Sequence, residues 1–183
     1  MLQSSTLQFL RSLKKNNNKP WFDANRPKYE AAKADFIQFI QRVIDTHGKK
    51  DPTIHNLVAK DCLFRINRDI RFSKNKSPYK TNFGAAMNRG GKQTTSSAGY
   101  YFHLEPGQTF TGGGIWMPGP EFLRKVRQEI DYNFDEFRKI IGSKKFKSVY
   151  GDLSHEAEYK LVRLPKGYEA DNPAAEYLKL KSF

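Results

Sequence analysis

Leu7, Leu10 and Leu13, with Phe9 beside them, recur at the spacing of one helical face and predict a short helix near the start of the chain. Ser4, Ser5 or Thr6 is expected to cap it by accepting a backbone hydrogen bond. Asn16 to Asn18 break the pattern, and Pro20-Trp21-Phe22 places two aromatics in a turn or short helix. Asn25 ahead of Pro27 predicts the start of a second helix, because proline is tolerated where its missing N–H has no partner to lose. Tyr29, Ala32, Phe36, Phe39, Ile40 and Val43 then form one apolar stripe that ends near His47-Gly48. Such a stripe is a core face, so no function is assigned to it.

From Cys62 the period changes to two. Phe64, Ile66, Ile70 and Phe72 fall on one face of an extended segment, and Arg65, Asn67, Asp69 and Arg71 on the other. A helical reading of Leu63, Ile66 and Ile70 accounts for fewer residues, so a strand is expected. Arg68 falls among the apolar positions, which calls for a bend or bulge near Asn67. Ser73 to Pro78 read as a loop, and Asn82 to Met87 as a resumed strand. Gly90-Gly91 and Thr94 to Ser97 are expected to form a flexible connection. Tyr100, Phe102 and Leu104 alternate with Tyr101 and His103 ahead of the Pro106-Gly107 turn, and Thr109 to Thr111 are expected to pair with that strand.

After Pro118, Phe122, Leu123, Val126, Ile130, Phe134 and Phe137 predict one helix, or two interrupted near Asp131-Tyr132-Asn133. Tyr159 to Leu164 read as a last strand before Pro165. The expected architecture is α+β: a single domain, residues 1–183, with a largely antiparallel sheet and helices packed on one side. A length of 183 residues suits one core.

Composition adds a sign of charge. Against 19 acids stand 32 Lys and Arg, a net charge of +13 that attracts polyanions, acidic surfaces or phosphorylated ligands and also serves solubility alone. A lone cysteine, Cys62, excludes an intrachain disulfide and is expected to be a buried small hydrophobe; a reducing, cytoplasmic location is the expectation. No apolar run approaches the roughly 20 residues that cross a bilayer, so membrane insertion is not expected. His47, His55, His103 and His155 are scattered, and no metal site is expected. Gly90-Gly91-Lys92 lacks the leading glycine, with Ala86 in its place, and has Gln93 where a phosphate loop needs Ser or Thr; no cofactor is expected.

The basic residues concentrate in one place. Lys60, Arg65, Arg68, Arg71, Lys74, Lys76 and Lys80 face only Asp61 and Asp69 over that stretch. Arginines two apart on a strand share a face, and guanidinium groups bind phosphate or carboxylate oxygens through paired donors. Arg65, Arg68, Asp69, Arg71, Lys76, Tyr79 and Lys80 therefore form a candidate site for an anionic small molecule or a nucleic acid. Asp69 would orient an arginine, Ser73 and Tyr79 would add hydroxyl donors, and Gly112 to Gly114 would form a secondary wall. Two other readings stand beside it. In one, arginine and lysine stabilise a phosphoryl transition state in a metal-independent phosphoester- or RNA-cleaving enzyme, while Tyr79, His103 or Asp69 moves a proton. In the other, Arg65, Asp69 and Arg71 are a structural ladder of charge pairs in a protein-interaction domain.

The run Arg65-x-x-Arg68-Asp69-x-Arg71-Phe72, followed by Lys76 and Tyr79-Lys80, resembles a family of bacterial and fungal proteins grouped as domain of unknown function 2461. Gly113 to Pro118 and Leu164 to Tyr168 also resemble that family, so the likeness spans nearly the whole chain. It implies that the basic motif matters and brings no activity with it. It also implies a C-terminal element beyond a segment like Leu178 to Phe183.

Overall fold

A computed structural model describes residues 1–92 and 96–183. Residues 93–95 of the expected flexible connection lie outside the described residues. The chain packs as two compact units, one built from residues 1–92 and Gly99–Gly113, the other chiefly from Gly114–Phe183.

In the first unit the leucine stripe forms α1 (Ser4–Lys15), burying Phe9, Leu10 and Leu13. Its N-cap is Gln3, without a side-chain cap bond, so the expected capping by Ser4, Ser5 or Thr6 does not occur. Asp35 serves instead: its Oδ2 accepts from the Gln3 N–H at 2.9 Å and from the Thr6 hydroxyl at 2.6 Å. Asn18 accepts from the Trp21 N–H to start α2 (Lys19–Ala24), whose Phe22 is buried. Next comes α3 (Arg26–His47), which buries Ala32, Phe36 and Ile40 of the expected stripe, with Ile44 added to them.

A single turn, α4 (Ala59–Cys62), precedes the segment expected to be a strand. No strand forms there. Leu63 bridges Ala85 and the Phe64 N–H donates to the Gly84 carbonyl, after which the backbone leaves the sheet. It pairs instead with the far side of its own loop, through Lys80 N–H to the Ile66 carbonyl, the Asn67 to Tyr79 bridge, and Arg68 N–H to the Pro78 carbonyl. Pro78 offers no donor with which to lengthen that ladder. The two-residue alternation has no core to serve beyond Ile66, since Phe72 is 94% exposed.

β1 (Phe83–Asn88), β2 (Gly99–Leu104) and β3 (Phe110–Gly114) make an antiparallel sheet in that order. Phe83 pairs with Leu104 and Met87 with Tyr100. Phe83, Ala85, Met87, Tyr100, Phe102 and Leu104 therefore share the inner face, and they pack with the buried residues of α1 and α3. α1 and α3 cover one side of this sheet, and the fold is α+β. The other face carries Gly84, Ala86, Tyr101 and His103.

The second unit contains α5 (Pro120–Tyr132), α6 (Phe134–Gly142), α7 (Lys144–Tyr150), a 3-10 turn (Ala157–Tyr159) and α8 (Ala175–Leu178). The expected interruption falls at Asn133. Ile130, Ala174 and Leu178 centre its core, with Val126, Phe134, Phe137 and Tyr177 against them. The strand expected over Tyr159 to Leu164 shrinks to one bridge, Lys160 with Leu180, flanked by Leu161 N–H to the Lys179 carbonyl and Lys181 N–H to the Tyr159 carbonyl. Val162 is 95% exposed, so its apolar side chain buries nothing that would hold a longer strand.

Candidate functional site

The basic motif lies on the loop between α4 and β1, and its residues divide into two groups. The first group is consumed by the loop itself. Arg68 donates from Nη1 to the Ser77 carbonyl at 3.0 Å and from Nη2 to Ser73 Oγ at 3.2 Å, tying the two sides together. Lys76 Nζ donates to the Ile70 carbonyl at 3.0 Å. Arg71 grips Asp69 with both arms of its fork, Nε to Oδ1 at 3.0 Å and Nη2 to Oδ2 at 2.7 Å. The hydrogen bond from Arg71 holds the Asp69 carboxyl below the usual carboxylate range, with Arg65 adding to it from a distance. Tyr79 is buried, its ring stacked on Phe22 with centroids 4.0 Å apart and its backbone held at both polar groups by the Asn17 amide. Its ring belongs to the core.

The second group is Arg65 and Lys80. Arg65 is exposed and makes no hydrogen bond or ion pair among the described residues. Lys80 lies half-buried with Nζ 5.5 Å from the centroid of the Phe64 ring, an arrangement that attracts a cation to the face of an aromatic. Burial, and then the charge of Arg65, pushes the Lys80 ammonium below its ordinary pKa. Two neighbouring cations thus stand here with no ion pair on either among the described residues.

Phe64 leads from Lys80 onto the outer face of the sheet. Its ring meets Tyr101 edge-on at 6.2 Å, Tyr101 lies 5.8 Å from Phe110, and Phe110 stacks on His103 at 4.8 Å. Phe64 and Phe110 remain 40% and 52% exposed. The sequence reading of the site omitted Phe64, Tyr101, Glu105 and Phe110. A signal for part of the group was present, since Tyr101 and His103 are two apart on a strand and must share a face.

Along that face, Tyr101 Oη lies 3.1 Å from His103 Nδ1, and His103 Nε2 lies 3.2 Å from Glu105 Oε2. Glu105 Oε1 accepts from the Thr81 hydroxyl at 2.9 Å and faces Lys14 Nζ at 3.6 Å. Burial opposes ionisation of Glu105, but the bonds from Thr81 and His103 and the charge of Lys14 outweigh it and hold the carboxyl below its usual range. Burial alone raises the Tyr101 phenol. Among the described residues, no group of three or more His, Cys, Asp or Glu has the arrangement to hold a metal ion. No described helix is long and apolar enough to cross a membrane. Cys62 is free and buried, and burial pushes its thiol up. Gly112 and Gly113 lie within β3.

No curated protein and no solved structure matches the chain. The family described as conserved hypothetical protein (DUF2461) matches residues 5–183, essentially the whole chain, and the protein belongs to that family.

Proposed function

We propose that the first unit binds a phosphate-bearing ligand with an aromatic base, of the nucleotide class, at Arg65 and Lys80 beside Phe64. The observation that carries this reading is the pairing of Lys80, half-buried against Phe64, with Arg65, neither held in an ion pair among the described residues. A partly desolvated ammonium beside a guanidinium is stabilised by an anion, and phosphate oxygens accept from both donors. The exposed rings of Phe64 and Phe110 offer stacking surfaces of the kind that bases use. Arg68, Asp69, Arg71, Lys76 and Tyr79 shape the loop that presents these two cations. A lone buried cysteine supports a reducing compartment such as the bacterial cytoplasm as the place where it works.

Thermal melting with inorganic phosphate, nucleoside monophosphates and short single-stranded oligonucleotides at low salt tests the proposal. A nucleotide is expected to raise the melting temperature of the wild type, and the shift should vanish in Arg65→Ala and Lys80→Met while the unliganded proteins melt alike. No shift with any of these ligands at low salt rejects it.

A further inference from the structure

The hydrogen bonds on the outer sheet face have a direction. A carboxylate only accepts, so His103 Nε2 is the donor to Glu105; in the tautomer that carries its proton there alone, Nδ1 offers its lone pair to the Tyr101 hydroxyl. The Asn82 amide also points its donor at Nδ1, from 3.4 Å, consistent with an unprotonated nitrogen there. The order is a hydroxyl, a base within hydrogen-bond reach of it, and a carboxylate that orients the base. This order marks an activated nucleophile.

We propose that Tyr101 is a nucleophile that accepts the phosphoryl group of a phosphate ester, with His103 as its general base and Glu105 as the residue that positions His103. The proposal rests on the reading above, since Arg65 and Lys80 would hold the phosphoryl oxygens.

Three further features fit this role. The His103 ring is pinned by Phe110, stacked within 14° of parallel, and Glu105 is braced from its far side by Thr81 and Lys14. The tyrosine keeps its proton until a base removes it, because burial disfavours the phenolate. Across the strand pair, Gly84 makes room for the phenol itself and so fixes where the hydroxyl stands: a Cβ there would lie 2.8 Å from Tyr101 Oη. The φ of Gly84 lies outside the left-handed region, so glycine is needed here for space and not for backbone conformation.

In the first step a bond forms between Tyr101 Oη and phosphorus, the phenolic proton passes to His103 Nδ1, and the ester P–O bond breaks as the leaving oxygen takes a proton from solvent. The imidazolium so formed is stabilised by Glu105. In the second, water attacks phosphorus and releases a proton to solvent, the Tyr101 O–P bond breaks, and His103 returns its proton to the phenolate. Ester and water become alcohol and phosphate, and the protein is restored.

The test uses p-nitrophenyl phosphate, whose aromatic ring suits the exposed aromatic face. Wild-type protein is expected to release nitrophenolate and, after acid quenching, to carry one phosphoryl group on the peptide containing Tyr101. Tyr101→Phe should keep the melting shift given by inorganic phosphate and lose turnover and adduct, with rate falling about a hundredfold or more. Glu105→Gln, which keeps the size of the side chain but not its charge, should lower kcat while KM stays put. A Tyr101→Phe protein as active as wild type, or wild type that binds phosphate without releasing nitrophenolate, overturns the nucleophile and leaves the binding reading standing. Absence of any phosphate shift overturns both.

Discussion

The hydroxyl of Thr6 donates to Asp35 Oδ2 at 2.6 Å, joining the first turn of α1 to the middle of α3 inside the core. Both residues are buried, and the same oxygen also takes the Gln3 N–H. A carboxylate from one helix therefore caps another. Thr6→Val keeps the shape and removes one of the carboxylate's two donors. Removing one partner of a buried polar pair costs about 1–3 kcal/mol, and urea denaturation of Thr6→Val should show a loss of that order.

Arg68 and Arg71 should behave oppositely on removal, although the sequence places them in one motif. Arg68 is half-buried and bonds across the loop to Ser77 and Ser73, so Arg68→Ala should destabilise by about 1–2 kcal/mol through the freed carbonyl and the loosened loop. Arg71 and Asp69 form an exposed pair, so Arg71→Ala should leave melting unchanged. Equal losses in both would contradict this division.

Removing a phosphate-binding cation should weaken binding and also flatten its dependence on salt. For Lys80→Met, which keeps an apolar stem against Phe64, the logarithmic slope of affinity against salt for an oligonucleotide should fall in magnitude by about 0.7, the value for one single-strand phosphate contact. Lys74→Ala, on the exposed tip of the loop, should change the slope less.

Acid should destabilise the first unit through Glu105. Its carboxyl titrates lower in the fold than the ordinary 4.5, so the fold binds fewer protons there than the unfolded chain in that range. The contribution is fully present above pH 4.5 and lost as pH falls through the folded value. Denaturation curves measured downward from neutral pH should show a steeper acid loss in wild type than in Glu105→Gln. Parallel curves would show that Glu105 carries no such linkage.

In the second unit Arg127 is 9% exposed, donates from Nη2 to the Leu180 carbonyl at 2.9 Å, and has a buried Nε without a hydrogen-bond partner among the described residues. Burial lowers its pKa. A buried charge without a carboxylate opposes folding, so Arg127→Met should melt at or above the wild-type temperature. A large drop would mean that the bond to Leu180 outweighs that cost.

The sequence by itself determined the elements whose residues bury a face at a regular period. The stripe from Tyr29 to Val43 could be satisfied only as a helix, the break at Asn133 was visible as a polar interruption, and Tyr100 to Leu104 had the two faces of a strand. The concentration of cations between Arg65 and Lys80 was equally plain. Tertiary structure decided what each of them does. The alternation from Phe64 to Phe72 reads like that of a strand, yet pairing depends on a neighbour's free edge and on a core beneath, and both end near Ile66. Which arginine closes the loop and which stays free depends on where Ser73, Ser77 and Asp69 come to rest, and no spacing encodes those distances. Tyr101 and His103 share a face by covalent geometry alone; Glu105, Phe64 and Lys80 join them through the turn after β2 and the path of the α4 to β1 loop. Short-range patterning acts through backbone geometry and is local, whereas a site is assembled by long-range packing, which a pattern along one chain does not contain.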